Sequence, residues 1–361
     1  MPRSDAGNPL NVHGAYLQRR PTYPMFKRVL VPMNGSPSTE RILRHLVQVT
    51  NWCGSDLTLL HVLHPTGSRP TQDLQIEYPN VLTDRAQALA REYFAVLVEQ
   101  LNAAGVTARA TTAIGEVIDT VVARASAGGF DLMALAVDGR RPAMRHLVEC
   151  VGEHIRVRSP IPMLILNGHL EGQMGGPKAP LTRLLLAING TRVSEFALAY
   201  VRRVARAGNL PITLLRVVPE IAAYHPAVER AGVATRFVEG ARQTAEEYLE
   251  RHAAVLAQQG YDVTTRVDVG PAARTIADVQ EAAPEHLLVM SSVIRHGWQR
   301  AFLGCTADEV IRISGRPMLL IPAGRRPGPA GDEADAVGSA GDDGEADPAA
   351  IDAEEVGPTT L

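Results

Sequence analysis

One segment of this chain occurs twice, and that repeat limits what the chain can fold into. Residues 131–167 and 286–322 align without a gap at an offset of 155. Eight pairs are identical: Leu132/Leu287, Arg140/Arg295, Arg145/Arg300, Cys150/Cys305, Ser159/Ser314, Pro162/Pro317, Met163/Met318 and Leu164/Leu319. Each copy reads as an apolar strand, a polar loop, a helix, a Pro and a second apolar strand. The offset holds upstream as well. VLVPMNGS (29–36) matches LLLAINGT (184–191), LTLLHVL (57–63) matches ITLLRVV (212–218), and Gly115 matches Gly270. The chain is therefore a tandem duplication of one unit of about 140–150 residues, an ordinary domain size.

Hydrophobic patterning fills in the unit. Residues 27–33 form an apolar strand that ends in the turn Asn34-Gly35-Ser36-Pro37. Ser38 is expected to cap a helix to about residue 49, since Ile42, Leu43, Leu46, Val47 and Val49 recur at helical spacing. Strands at 57–63 and 106–114, a long helix over 83–104 stopped by Gly105, and a helix over 116–127 complete the approach to the repeated segment. The second unit predicts strands at 183–188, 212–218, 263–269, 287–291 and 318–321, and a long helix over 233–259 stopped by Gly260. Continuous apolar strands joined by helices imply a parallel sheet covered on both faces: α/β, doubly wound and Rossmann-like, in two tandem domains. The divisions expected are a disordered tail 1–25, a domain 26–167, a Gly/Pro-rich linker 168–181, a domain 182–323 and a disordered tail 324–361.

Composition narrows the function. Aromatics are 4% of the chain, so Val, Leu, Ile and Ala must build the cores. No apolar run reaches the ~18–20 residues of a membrane span, and residues 1–24 lack the apolar core of a signal peptide. Three cysteines argue against a disulfide framework and for a reducing cytoplasm. The net charge of −3 hides a split. From Gly331 onward there are ten acidic residues and no Lys or Arg, which leaves 36 basic against 29 acidic residues ahead of it, a formal +7. A mildly basic body suits small anionic ligands. It lacks the clustered Lys/Arg and interleaved aromatics of a nucleic-acid surface.

VLVPMNGS and LLLAINGT, LTLLHVL and ITLLRVV, and PIPMLILN and GRPMLLIP together resemble the universal stress protein family. The resemblance covers residues 26–167 and 182–323. It implies a five-stranded sheet of order 3-2-1-4-5 in each domain. It also implies pairing of domains through their last strands, 162–166 (Pro162 to Leu166) and 317–321 (Pro317 to Ile321). Such edges are apolar, and two copies on a short tether meet at high effective concentration. Members that bind ATP share G-x2-G-x9-G-[ST] after the fourth strand, where backbone N–H groups and a helix N-terminus close on phosphates. An Asp ends their first strand.

Both copies depart from that pattern. In the first, Ala136, Gly139 and Glu149 stand at the three Gly positions, Cys150 at the hydroxyl position, and Asp138 adds a second acid. In the second, Ser291, Ile294 and Gly304 stand there, followed by Cys305 and Thr306. Asn34 and Asn189 replace the Asp. The resemblance carries a degenerate nucleotide site in domain 1 onto Asn34, Gly35, Val62, Gly115, Gly139 and Cys150. In domain 2 it carries a candidate site for ATP or AMP onto Asn189, Gly190, Val217, Gly270, Ser291, Ser292, Gly304, Cys305 and Thr306. Asp138 and Glu149 would oppose an anion: two unit charges ~4 Å apart repel by roughly 4 kcal/mol at an effective dielectric of 20. The second domain is thus the one expected to keep a ligand, aided by Arg295 and Arg300.

Each residue also has a structural role open to it. The Asn-Gly pairs make good turns. Gly115 and Gly270 end strands. Cys150 and Cys305 are small packing residues as readily as redox thiols. Arg295, His296 and Arg300 can be a solvated face. His61 and His64, three apart in a strand, point to opposite faces and make a poor metal pair. HxGH, SGGxDS, GxGxxG, a Ser-His-Asp order and zinc spacings are absent, so no enzyme chemistry is indicated. The reading is a non-enzymatic cytoplasmic stress-response module that acts through protein partners the sequence does not identify. The alternative is an ATP/AMP sensor with its competent site in domain 2. Metal, nucleic acid and membrane are not expected, and homodimerisation of the tandem chain is left open.

Deleting residues 331–361 is expected to leave the fold intact, because the segment has little to bury against its ordering entropy. Differential scanning calorimetry checks this. A midpoint lower by more than about 5 °C would mean that the tail docks on the basic body.

Overall fold

A computed structural model describes residues 25–63, 79–137, 155, 158–168, 170, 179–220, 233–292 and 306–323. Residues 1–24, the expected tail 324–361 and most of the expected linker lie outside these residues; Met25, expected in the disordered tail, is instead buried in the core. The first unit holds β1 (Arg28–Pro32), α1 (Pro37–Cys53), β2 (Asp56–Leu63), α2 (Pro79–Ala103), β3 (Ala108–Ile114), α3 (Val117–Ala127), β4 (Leu132–Val137) and β5 (Met163–Asn167). The second holds β6 (Arg183–Ala187), α4 (Arg192–Gly208), β7 (Ile212–Val218), α5 (Val233–Gln258), β8 (Val263–Val269), α6 (Ala272–Ala282), β9 (His286–Ser292), α7 (Thr306–Ile313) and β10 (Met318–Pro322).

The helix starts are set by local chemistry, and the two copies use the same device. Ser36 caps α1, its hydroxyl accepting from the Thr39 N–H, with Pro37 at the first helical position. Thr191 caps α4 in the same way from the Ser194 N–H. This corrects the expected cap at Ser38. Proline's fixed φ and missing N–H suit the first turn, so the cap falls one residue before Pro37. Gly54, at φ 62°, stops α1 with its N–H on the Thr50 carbonyl.

The ten strands among the described residues lie in one sheet of order β3-β2-β1-β4-β5-β10-β9-β6-β7-β8. Each half has the order 3-2-1-4-5, and its neighbours run parallel. The halves meet at β5 and β10, which pair antiparallel with Met318 opposite Ile165, Leu319 opposite Leu164 and Leu320 opposite Met163. The last strands thus pair with each other, and the two outer edges of the sheet are β3 and β8.

Strand alternation divides the interior into two layers. Leu164, Leu166, Leu319 and Ile321 face a core shared with α1, α2, α4 and α5. Met163, Ile165, Met318 and Leu320 face the other, with α3, α6 and α7. Both layers run unbroken across the seam. Phe26 stacks on Tyr200 at 6.4 Å, and the Asn167 amide donates to the Ile311 carbonyl of α7 at 3.2 Å. Arg41 of α1 donates to the Gly168 carbonyl, and Gln48 accepts from the Leu181 N–H, so α1 holds the chain on both sides of the 169–178 stretch.

Leu164 and Leu319 are 0% and 1% exposed and stand directly opposite each other. Leu164→Ala and Leu319→Ala are each expected to cost about 2–5 kcal/mol. The double variant should depart from the sum by more than about 0.5 kcal/mol, because the two share one contact. Urea titrations of the four proteins measure this. Strict additivity would mean that the seam is not packed as described.

Candidate functional site

In an open doubly wound sheet the binding crevice lies at the carboxyl ends of the strands, where the strand order reverses. The chain reverses between β1 and β4 in the first unit, and between β6 and β9 in the second. The described sequence candidates gather there. Asn34-Gly35 and Asn189-Gly190 form the turns after β1 and β6. Val62 and Val217 are the next-to-last residues of β2 and β7. Gly115 and Gly270 follow β3 and β8. Ser291 and Ser292 end β9, and Thr306 opens α7. Asp138, Gly139, Glu149, Cys150, Ile294, Arg295, His296, Arg300, Gly304 and Cys305 lie outside the described residues, as does His64.

The turns themselves are tightly bonded. Asn34 Oδ1 accepts from the Ser36 N–H at 3.0 Å and the Thr39 hydroxyl at 3.1 Å. Asn189 Oδ1 accepts from the Thr191 N–H at 3.1 Å and its hydroxyl at 2.7 Å. These are Asx turns, in which an Asp carboxylate would serve equally well, so the Asn carbonyl is occupied within its own turn. Gly35 and Gly190 sit at φ 74° and 87°, the left-handed region that glycine enters without penalty.

The candidate donors differ in availability. Ser291 Oγ donates to the Val193 carbonyl in the first turn of α4 at 2.6 Å. Its proton therefore joins β9 to α4 across the crevice instead of facing a ligand. Thr306 begins an eight-residue helix whose first turn carries Asp308 and Glu309. Those carboxylates suit the positive end of the helix dipole, and they compete with any anion approaching it. Sequence reading weighed Gly304 and Thr306 but not these acids, which were legible three and four residues beyond Cys305.

Around each mouth the repeat builds a Tyr–Glu pair that the sequence reading did not single out. Tyr93 on α2 donates its hydroxyl to Glu40 in the first turn of α1. Tyr248 on α5 donates to Glu195 of α4 at 2.8 Å. Burial and the carboxylate acceptor push both phenols well above the ordinary tyrosine range. The 155-residue spacing of Tyr93 from Tyr248 and of Glu40 from Glu195 could have found the pair.

Two other groups have settled roles. His61 places Nδ1 2.9 Å from the Met33 carbonyl and packs its ring against Phe94. The described residues contain no metal-ligating cluster. Cys53 is a free, buried thiol, and burial pushes its pKa up to about 12, so it is protonated and unreactive at neutral pH.

The model of the universal stress protein family matches residues 25–167 and again 180–322. The chain belongs to that family, as a tandem of two such domains. Among solved structures it is similar to a universal stress protein from Archaeoglobus fulgidus DSM 4304. That match has a TM-score of 0.60 at 17% identity and covers 83% of this chain and 98% of that one. It is also similar to a functionally unknown protein from Pseudomonas aeruginosa PAO1, at a TM-score of 0.50 and 16% identity, covering 82% of this chain and 93% of that one. At these identities the likeness is one of fold. No curated protein matches the chain.

Gly270 follows β8 at φ 151°, and a Cβ there would lie 2.6 Å from Thr275 Oγ1; Gly115 repeats the contact with Thr120 Oγ1 at 2.7 Å. Gly270→Ala is expected to lower stability by about 1–3 kcal/mol. The added change Thr275→Ala should recover the steric part. Urea unfolding of the two variants checks this, and a neutral Gly270→Ala would show that the loop relaxes freely.

Proposed function

We propose that this tandem universal stress protein is a non-enzymatic regulatory or protective module of the cytoplasm. It acts through protein partners, and its nucleotide binding is weak or lost. The observation that carries this reading is the state of the second mouth, the better of the two. Its Ser291 proton is taken by the Val193 carbonyl, and Asp308 and Glu309 stand in the first turn of the helix that would meet phosphate. Ile294 stands where a nucleotide-binding loop has its second glycine. In the first mouth, Asp138 and Glu149 add negative charge within the corresponding sequence. No described helix is long and apolar enough to cross a membrane.

A second reading keeps the second domain as an ATP or AMP sensor. Thr306 at the start of α7, Gly304 two residues before it in the sequence, and Asn189, Gly190, Val217 and Gly270 around the crevice support it. Residual affinity at this loop is expected to be high-micromolar or weaker.

Titration calorimetry of ATP into the full chain separates the two readings. The full chain is needed because severed halves would expose Leu164 and Leu319. Binding weaker than about 100 μM, equivalent to roughly −5.5 kcal/mol, is the expected result. Sub-micromolar binding would establish the sensor instead. Native mass spectrometry of the same sample reads co-purified nucleotide and oligomeric state together.

A further inference from the structure

The duplication supplies an internal control for every position, and around Tyr248 the two copies part company. Both keep the Tyr–Glu pair and the Asn-Gly turn. Around that shared frame the first copy has Pro37, His61, Val96 and Leu97, and the second has Arg192, Arg216, Arg251 and His252 at the matching places. Four positions with no permanent charge have become three guanidiniums and an imidazole.

Arg216 is the centre of the change. It lies on β7, half-buried, with its guanidinium carbon 4.9 Å from the Tyr248 ring centroid. Its two terminal nitrogens lie 3.5 Å from where a Cβ on Gly190 would stand, directly against the turn after β6. Arg251, one turn beyond Tyr248 on α5, is exposed and close enough to act on the same phenol. Arg192 is the first residue of α4, two positions after Gly190.

The neighbouring carboxylates are otherwise engaged. Glu195 accepts from the Tyr248 hydroxyl and lies 3.5 Å from His252 Nε2. Glu246 pairs with Arg242, and Glu247 accepts from Gln243. Glu250 falls on the opposite side of α5 from Tyr248 by helical spacing. Among the described residues Arg216 makes no hydrogen bond or ion pair; its guanidinium stacks on Tyr248 and lies against the Gly190 turn. In the first copy the matching His61 ring nitrogen is held by the Met33 carbonyl. A stacked guanidinium keeps its in-plane donors, and those donors match phosphate oxygens.

We propose that Arg216, with Arg251 and Arg192, forms an anion-binding subsite in the second domain that takes the phosphate group of a small ligand. It is separate from the loop weighed above. Tyr248 belongs to the core layer of α4 and α5, whereas Ala307 and Val310 place α7 in the other layer. The subsite therefore lies on the other face of the sheet from α7, and the first domain has no counterpart to it. The chemistry is the same for free phosphate and for a phosphate ester, and the choice of probes distinguishes the two sources.

The test titrates inorganic phosphate, AMP and adenosine into the full chain at low ionic strength, read by calorimetry. Wild type is compared with Arg216→His and Arg251→Val, each of which installs the residue that the first copy already accommodates. Phosphate or AMP binding that weakens about tenfold in Arg216→His and by a smaller factor in exposed Arg251→Val, with adenosine inert, is the expected result. Phosphate bound as well as AMP identifies a free anion, and AMP bound more tightly identifies an ester. Gly304→Glu should leave this binding unchanged, so loss of the loop site and loss of the subsite are told apart. Should Arg216→His fail to fold, Arg251→Val decides alone. Unchanged affinity in the folded variants would make the stacked arginine a packing element and overturn the proposal. So would the absence of phosphate and AMP binding by wild type up to about 10 mM, weaker than roughly −3 kcal/mol.

Discussion

The antiparallel pairing of β5 with β10 is the contact on which the rest of this molecule depends. A five-stranded doubly wound sheet ends, on this side, in a strand that is apolar on both faces: Met163, Leu164, Ile165 and Leu166 in one copy, Met318, Leu319, Leu320 and Ile321 in the other. All eight side chains are at most 2% exposed in the joined sheet. Left alone, each strand would offer unpaired backbone groups and two faces of uncovered Leu, Ile and Met, the combination that drives edge-to-edge aggregation. Burying one such side chain stabilises by about 1.5–3 kcal/mol. Tethering the copies makes the pairing intramolecular and fixes which strand closes which. The outer edges differ in kind. β3 and β8 carry Arg109, Thr111, Arg266 and Asp268, the polar and charged character of edges that stay single.

Much of this was legible in the sequence because duplication is a strong signal and period is a robust one. The strands at 212–218 and 263–269 are found where hydrophobic runs placed them. So is the seam, because 162–166 and 317–321 carry no polar face to turn toward solvent. What the patterning missed was local hydrogen-bond chemistry. The cap of α1 is Ser36, not Ser38, because Pro37 decides where the first turn begins. The strand expected over 106–114 starts at Ala108, since Val106 donates its N–H back to the Leu101 carbonyl as part of the α2 ending.

The candidate site was legible by position and less so by role. Sequence identified the turn residues and strand ends that surround each mouth. It could not show that the Ser291 hydroxyl reaches the Val193 carbonyl, because the two are 98 residues apart and meet only when β9 lies beside β6. Nor did the motif of the nucleotide loop point to Tyr93, Glu40, Tyr248 and Glu195, which belong to other elements. A motif reports the residues that touch a ligand in relatives. It is silent about side chains that the rest of the chain brings to the same rim.

Those rim residues show how the duplication has been used. The frame common to both copies is structural: Asn-Gly turns with occupied carbonyls, Ser or Thr caps, and a Tyr–Glu pair that locks the long helix to the helix after the first strand. Because these contacts hold each mouth in shape, the positions around them are free to differ without loss of fold. The first copy fills them with Pro37, His61, Val96 and Leu97, and the second with Arg192, Arg216, Arg251 and His252. A symmetric pair of ligand sites would need both sets alike. The copies share a sheet and two core layers, yet the second carries Arg192, Arg216 and Arg251 where the first carries Pro37, His61 and Val96. The physical consequence is a molecule with a symmetric skeleton and an asymmetric field. Whatever binds at one end of the sheet meets a different charge from whatever binds at the other.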